Sequence, residues 1–435
     1  MRAFLTLSSI FGLLVNLASA KISCPPGFAL VNNNKCLNMI SDHYKHQEAE
    51  QKCTGYGGTL VTVHNAIDNR GVANFAGAAV AQYTWLGIFC FSNDITSCYS
   101  DDGSGPITYS NFVPGHPQVT QQYGGCVYMQ TYGPDKGKWF SSPCAVRGLA
   151  FVCEVPTTVE DTTCTHNYNG YCYYPSNEHL SQPKQLSQSE SPISYAKAAC
   201  TSSLNAQLLS IHSRMELDYI RSLYVGKKIN RVMLGAEDDG KSGNFKWSDG
   251  TDFDYDNSNP SDWKDTGNCL HMDVSGDRVD NGMWSRVNCT QYEDFVCKRE
   301  IKDTAFNPKF NVRRSQNQAR KTINLADSSH CNQTLFLAPG VVTSFDYLNK
   351  KAPPTFCTWN IGVLGAYRLG VYFTDFSLGD TLFVYDENGK VLDDPHGTRA
   401  PYNVLAPTNI VKMTHNAAYD AEWSYHGFSA TILPY

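Results

Sequence analysis

The chain reads Gly125-Cys126-Val127-Tyr128-Met129, then Trp139 five residues before Cys144, then Phe151-Val152-Cys153. The same order returns as Asn268-Cys269-Leu270-His271-Met272, Trp284 ahead of Cys289, and Phe295-Val296-Cys297. Short apolar runs that carry cysteines, with a tryptophan between them, predict strands tied by bridges. Their return in one order marks an internal repeat.

The repeat extends outward from these stretches. Each copy opens with two close cysteines, 24 and 36, then 164 and 172. A helix-like segment ending in cysteine follows: QEAEQKC at 47–53 and SYAKAAC at 194–200. Next comes a β-rich run ending in histidine, LVTVH at 60–64 and LLSIH at 208–212. In the second copy ELDYI at 216–220 predicts another helix. A strand with a Leu-Gly pair comes after, TWLGI at 84–88 and VMLGA at 232–236. Long loops rich in Gly, Pro, Asp and Tyr lead to the closing strands.

The totals fit this organisation. A chain of 435 residues predicts two to four domains. Only 17% of residues are charged and the net charge is −6, so no nucleic-acid partner is expected. The 16 cysteines fall into even groups: 24, 36, 53, 90, 98, 126, 144 and 153; 164, 172, 200, 269, 289 and 297; 331 and 357. There is no C-x-x-C pair, so bridges are expected rather than metal or catalytic thiols. Residues 1–20 read as a signal peptide: Arg2, an apolar run over 4–17, then Ala18-Ser19-Ala20. The expected location is therefore extracellular, with no membrane span. Sequons at Asn288 and Asn332 agree with secretion. Residues 154–163 and 299–330 are polar and predict linkers, the second basic and containing Arg313-Arg314. The segment 331–435 shows β-rich runs split by turn residues and no helix.

The order of features in 24–153 and 164–298 resembles the C-type lectin-like domain, an α+β fold. That resemblance implies the bridges Cys53–Cys153, Cys126–Cys144, Cys200–Cys297 and Cys269–Cys289, with Cys24–Cys36 and Cys164–Cys172 closing the opening hairpins of the long form. Cys90 and Cys98 are left over for a local loop. The last segment resembles a CUB domain, an all-β sandwich, through Cys331, Pro339-Gly340, Cys357-Thr358-Trp359, Asp375-Phe376, Asp380, Tyr385 and Gly427-Phe428. The CUB family's second cysteine pair is missing. The whole arrangement resembles secreted nematode C-type lectin proteins.

In sugar-binding members of the lectin family, calcium is held by a triplet around a proline and by an Asn-Asp pair after the tryptophan. Calcium wants six to eight oxygens. Here the first triplet is His116-Pro117-Gln118, and Phe140-Ser141 follows Trp139. The second is read as Asn259-Pro260-Ser261, and Ser285-Arg286 follows Trp284. Neither predicts a calcium site, so no metal and no cofactor is expected. The acidic loop with Asp249, Asp252, Asp254, Asp256, Asp262 and Asp265 is read as solvated. In the CUB-like segment Asp380 and Asp420 fall at ligand positions, but Gly379 stands where a glutamate is expected. Aromatic loop residues are Tyr99, Tyr109, Phe112 and Tyr123, then Phe253, Tyr255 and Trp263. Aromatic faces stack on sugar rings or anchor interfaces. The candidate ligand contacts are Gln118, Tyr123, Asn259 and Trp263.

No G-x-S-x-G elbow, H-E-x-x-H helix or P-loop is present, so catalysis is not expected. The resulting expectation is a secreted recognition protein for glycans or extracellular glycoproteins, with a part in innate defence. The alternative is a calcium-independent protein-binding module.

Overall fold

The last strand of each copy is the one around which the copy is built. In the first, Leu149–Val155 runs antiparallel to Lys35–Tyr44, with Cys153 opposite Asn38. It also runs parallel to Tyr83–Cys90, with Phe151 opposite Trp85. In the second, Asp294–Glu300 is antiparallel to Tyr171–Pro175, with Cys297 opposite Tyr174, and parallel to Arg231–Asp238, with Phe295 opposite Met233. Opening and closing strands are thus neighbours, and each copy is a loop closed on itself. This computed structural model describes residues 21–119, 125–144, 148–180, 191–238, 244–259, 267–275, 282–290, 292–301, 331–332, 336–345, 347–348, 355–365, 367–417 and 425–434.

Five α-helices occur among the described residues: α1 (His46–Thr54), α2 (Ala66–Ala78), α3 (Ser176–His179), α4 (Pro192–Leu204) and α5 (Arg214–Ser222). Capping explains where several begin. The Asn65 side chain accepts from the backbone N–H groups of Ile67 and Asp68, and Ser213 does the same for Glu216. Helix α2 was not expected from the sequence. Its Gly71 and Gly77 and its small apolar residues blur the helical pattern, and the Asn65 cap is the surviving signal.

Bridges fix the closure. Cys53 on α1 joins Cys153, and Cys200 on α4 joins Cys297, across 100 and 97 residues. Each such loop is worth on the order of 4–5 kcal/mol in the chain-entropy account. The others are Cys24–Cys36, Cys90–Cys98, Cys126–Cys144, Cys164–Cys172, Cys269–Cys289 and Cys331–Cys357. The first seven are the pairs given above, and Cys331–Cys357 joins the two cysteines of the last group. Packing also explains the Leu-Gly pair. A Cβ on Gly87 would stand 2.4 Å from the Leu60 carbonyl oxygen, so only glycine lets the two backbones touch.

The C-terminal part is an all-β sandwich. One five-stranded sheet holds Gly340–Thr343, Gly427–Pro434, Leu369–Leu378, Gly397–Arg399 and Tyr402–Leu405. The other holds Phe336–Leu337, Thr355–Gly362, Ile410–Ala417, Leu382–Asp386 and Val391–Asp393. Alternation along Thr355–Gly362 turns Cys357, Trp359 and Ile361 inward, and Trp359 meets Phe428 edge-on at 5.5 Å.

Residues 154–163 do not form a free tether. Thr158–Val159 pairs with Ile22–Ser23, and Val155, Thr158 and Val159 are buried. Their polar look hides β-branched residues that suit an extended, paired backbone. The predicted signal peptide and residues 302–330 of the second linker lie outside the described residues. The three parts touch. Tyr168 donates to the Gly57 carbonyl at 2.6 Å and stacks on Tyr219 at 4.1 Å. Tyr367 of the sandwich donates to the Asp218 carboxylate beneath the Arg214 guanidinium, and the Gly365 N–H donates to Asp101 at 3.2 Å.

Candidate ligand-binding loops

Trp139 organises the long loop of the first copy. Its strand, Trp139–Ser142, pairs with Cys126–Gln130. Its backbone N–H donates to Asn111 at 3.0 Å, and its carbonyl accepts from Val113 at 3.1 Å. The buried indole N–H donates to Asn69 Oδ1 on α2 at 2.7 Å. Asn69 and Asn111 both donate to the Gly137 carbonyl, at 3.0 and 2.7 Å. Tyr109 and Phe112 meet the indole edge-on at 5.7 and 5.5 Å. These two rings therefore serve packing under the loop, and Tyr99 rests edge-on against Phe91.

The triplet lies directly against the strand that follows Trp139. The Ser141 hydroxyl is 2.8 Å from His116 Nδ1, accepts from the Gln118 N–H at 2.6 Å and reaches the Gln118 carbonyl at 3.1 Å. The Ser141 N–H donates to His116 Nδ1 at 3.0 Å. A nitrogen that accepts from a backbone N–H carries no proton, and burial lowers the His116 pKa. His116 also packs edge-on against Phe140, which stacks on Tyr128. One serine thus holds the loop to the strand where the resemblance places an ion. Gln118 is exposed beside this network.

The second copy keeps the frame around its tryptophan. Trp284 donates to the Asn257 carbonyl at 2.9 Å, its own carbonyl accepts from Asn259 at 2.7 Å, and Asn257 donates to Gly282 at 2.7 Å. Asn257 holds the place of Asn111, so Asn259 holds the place of Val113. Asn259 therefore stands three residues ahead of the position of His116. The place equivalent to the first triplet falls on 262–264, outside the described residues, as do Trp263 and Tyr123. Arg286 faces the Asp238 carboxylate at 3.5 Å and lies over the Phe245 ring at 4.7 Å. Phe253 stacks on Trp247 at 5.0 Å, and Tyr255 meets Trp284 edge-on at 5.6 Å.

The described acids of the second loop do not converge. Asp249 accepts from the Thr251 N–H and hydroxyl, Asp254 meets His212 at 2.6 Å, and Asp256 accepts from the Ser258 N–H and hydroxyl. Each serves its own turn or a histidine. In the sandwich, Asp380 is half-buried and Asp420 lies outside the described residues. A Cβ on Gly379 would come within 3.0 Å of the Tyr425 ring, so a glutamate there requires that ring to move. The sequon asparagines Asn288 and Asn332 are both exposed.

Each copy also buries a lysine–glutamate pair that the sequence did not signal. Lys35 meets Glu154 at 2.6 Å, and Glu154 accepts from the Thr62 N–H at 3.0 Å. Lys298 meets Glu216 at 2.6 Å, donates to the Ser210 carbonyl at 3.0 Å and lies over the Tyr171 ring at 4.3 Å. Nearby in the first copy, burial pushes the Asp101 pKa up to about 7, against the Gly365 N–H bond and with help from Asp102. Burial lowers the pKa of His46 to about 4, and its Nε2 lies 3.0 Å from the Leu86 carbonyl.

The Lectin C-type domain model matches residues 42–155 and 189–299. C-type lectin domain-containing protein 38 of Caenorhabditis elegans is 34% identical over 287 residues, covering 65% of this chain and 69% of that protein. C-type mannose receptor 2 of Rattus norvegicus is 22% identical over 296 residues, 65% of this chain. The chain spans only 18% of that receptor's length. The cow CD23 carbohydrate-recognition domain, solved with a GlcNAc2Man3 oligosaccharide, aligns over 31% of this chain and 98% of its own, at 23% identity and a TM-score of 0.27. Among the described residues no helix is long and apolar enough to cross a membrane.

Proposed function

The chain belongs to the C-type lectin domain family, and we propose that it is a secreted, non-catalytic recognition protein that binds carbohydrate without family-type calcium coordination. The observation that carries this reading is the Ser141 network. The serine joins loop to strand through His116 and Gln118, which supports a loop held by hydrogen bonds at the place where the family puts an ion. In the second copy the cationic Arg286 is matched by Asp238 at the corresponding strand. A site of this kind recognises sugar by hydrogen bonds and ring stacking rather than by metal coordination of hydroxyls. Gln118 and Tyr123 supply such contacts in the first copy, and Trp263 in the second. The proposal takes the C-terminal sandwich as CUB-like. It includes a part in innate defence on the strength of the family resemblance.

A glycan array probed with the full chain, with and without chelator, tests the reading. Equal sugar binding in both conditions supports it. Binding abolished by chelator overturns calcium independence. Silence on all sugars, together with capture of a protein from the same extracellular milieu, overturns the carbohydrate reading.

A further inference from the structure

A group of side chains in the second copy lies apart from both long loops and from every residue used above. His166 stands on the strand His166–Tyr168, and Glu178 and His179 stand on α3. His166 Nε2 is 2.6 Å from Glu178 Oε2, and His179 Nε2 is 3.9 Å from the same oxygen. One ligand atom from each residue lies within 4.8 Å of the other two. His179 Nε2 is buried and has no hydrogen-bond partner among the described residues. A buried imidazole nitrogen left without a partner is costly and calls for a ligand. The ring is held in place edge-on by Tyr174 at 5.3 Å, and the two imidazoles meet edge-on at 6.0 Å.

We propose that His166, Glu178 and His179 form a site for a divalent transition-metal ion, with zinc as the reference ion. Two imidazoles and a carboxylate are the donors that zinc takes. A tetrahedral ion places its ligand atoms about 3.3 Å apart, given bonds of about 2.0–2.1 Å. The separations at Glu178 Oε2 fall on both sides of that value, so small side-chain rotations seat the ion. The carboxylate is already divided between two tasks. Lys227 donates to Oε1, which leaves Oε2 turned toward the imidazoles. An outer partner of this kind orients a ligating group. Calcium is excluded by the same donors, because it prefers oxygen ligands and needs at least six of them. Three protein ligands leave a fourth position, and the side chains remain 20%, 32% and 24% exposed, so water fills it. The ion would clip the opening hairpin of the second copy to α3.

The test is calorimetric titration of the metal-stripped full chain with zinc chloride in a non-coordinating buffer, paired with thermal melts. The wild type is expected to bind one tight equivalent and to melt higher with zinc, since a ligand of the folded state stabilises it. His166→Ala, His179→Ala and Glu178→Gln should each weaken that equivalent at least tenfold and lose the zinc-dependent shift. Calcium should give neither signal. Glu178→Gln keeps the size and one oxygen of the side chain, so it decides the matter if a histidine variant does not fold. Absence of a zinc equivalent in the wild type overturns the proposal, as does retention of that equivalent in Glu178→Gln.

Discussion

In the first copy the residue after the last cysteine is Glu154, and its carboxylate meets Lys35 from the opening strand. In the second copy that residue is Lys298, and its ammonium meets Glu216 from α5. The strand position and the buried surroundings correspond, but the sign of the charge is reversed. Tyr171 takes the place of Lys35 and offers its ring to the lysine that arrives from the other side. The lesson is that this place in the fold demands a balanced charge pair and leaves open which strand carries the cation. The pairs are not equally deep. Lys298 and Glu216 are 5% and 6% exposed, whereas Lys35 and Glu154 are 4% and 18% exposed.

That difference sets the largest expected effect. Among the described residues, Lys298→Met leaves the buried Glu216 carboxylate with the Tyr173 hydroxyl and the His212 N–H as partners. Stability should fall by about 3–5 kcal/mol in chemical denaturation. Lys35→Met should cost less, about 1–2 kcal/mol, because Glu154 keeps the Thr62 N–H and reaches solvent. Equal losses would break the comparison. Glu154→Lys alone sets two lysines against each other; adding Lys35→Tyr removes that repulsion and offers a ring like that of Tyr171, so the double variant should be more stable than Glu154→Lys alone.

A second contrast lies one strand away. The N–H groups of Asp101 and Ser248 donate to equivalent carbonyls, those of Gly87 and Gly235. The acid is thus replaced by a serine in the second copy. The folded protein holds the Asp101 carboxyl protonated up to about pH 7, whereas the unfolded chain ionises it near 3.8. The folded state therefore binds more protons across that window, and Asp101 costs stability as pH rises through it. Asp101→Asn keeps an oxygen for the Gly365 N–H. Relative to the parent it should gain on the order of 3 kcal/mol between pH 4 and pH 7. His46 acts with the opposite sign. Its folded pKa of about 4 lies below the ordinary 6.5, so its share of stability is lost as pH falls from 6.5 toward 4. His46→Gln should flatten that acid-side loss in melts run over the same range.

The tryptophan frames differ more mildly. Trp139 donates its indole N–H to Asn69, whereas the Trp284 indole N–H has no partner among the described residues. Asn69→Ala should cost about 1–2 kcal/mol by leaving a buried donor unpaired. Trp284→Phe loses no such bond and should cost only packing, measured in the same denaturation. Smallest is Ser141→Ala, about 1 kcal/mol or less in stability. Its clearer readout is sugar binding by the first copy, which should weaken as the triplet loosens. Unchanged binding would separate the serine network from recognition.

Much of the frame was legible in the residues. Trp139 and Trp284, the Leu-Gly pairs and the cysteines carried by the helices all stand in one order, and order survives without knowledge of contacts. Helix α2 was less legible, because glycine and alanine carry little periodic signal. The candidate contacts were legible only as types. Gln118 proved exposed beside the Ser141 network, whereas Asn259 proved to be the partner of the Trp284 backbone.

By itself the sequence determined three cysteine-delimited parts, a duplicated α+β copy and a β-sandwich, because even cysteine groups and alternating apolar residues are local facts. The tertiary structure decided the charges. Lys35 and Glu154 are 119 residues apart, and Lys298 and Ser210 are 88 apart. No spacing rule links such positions, since they meet only after opening and closing strands have paired. The same holds for Asp101, an ordinary acid in a loop until the sandwich backbone at Gly365 covers it and removes its water.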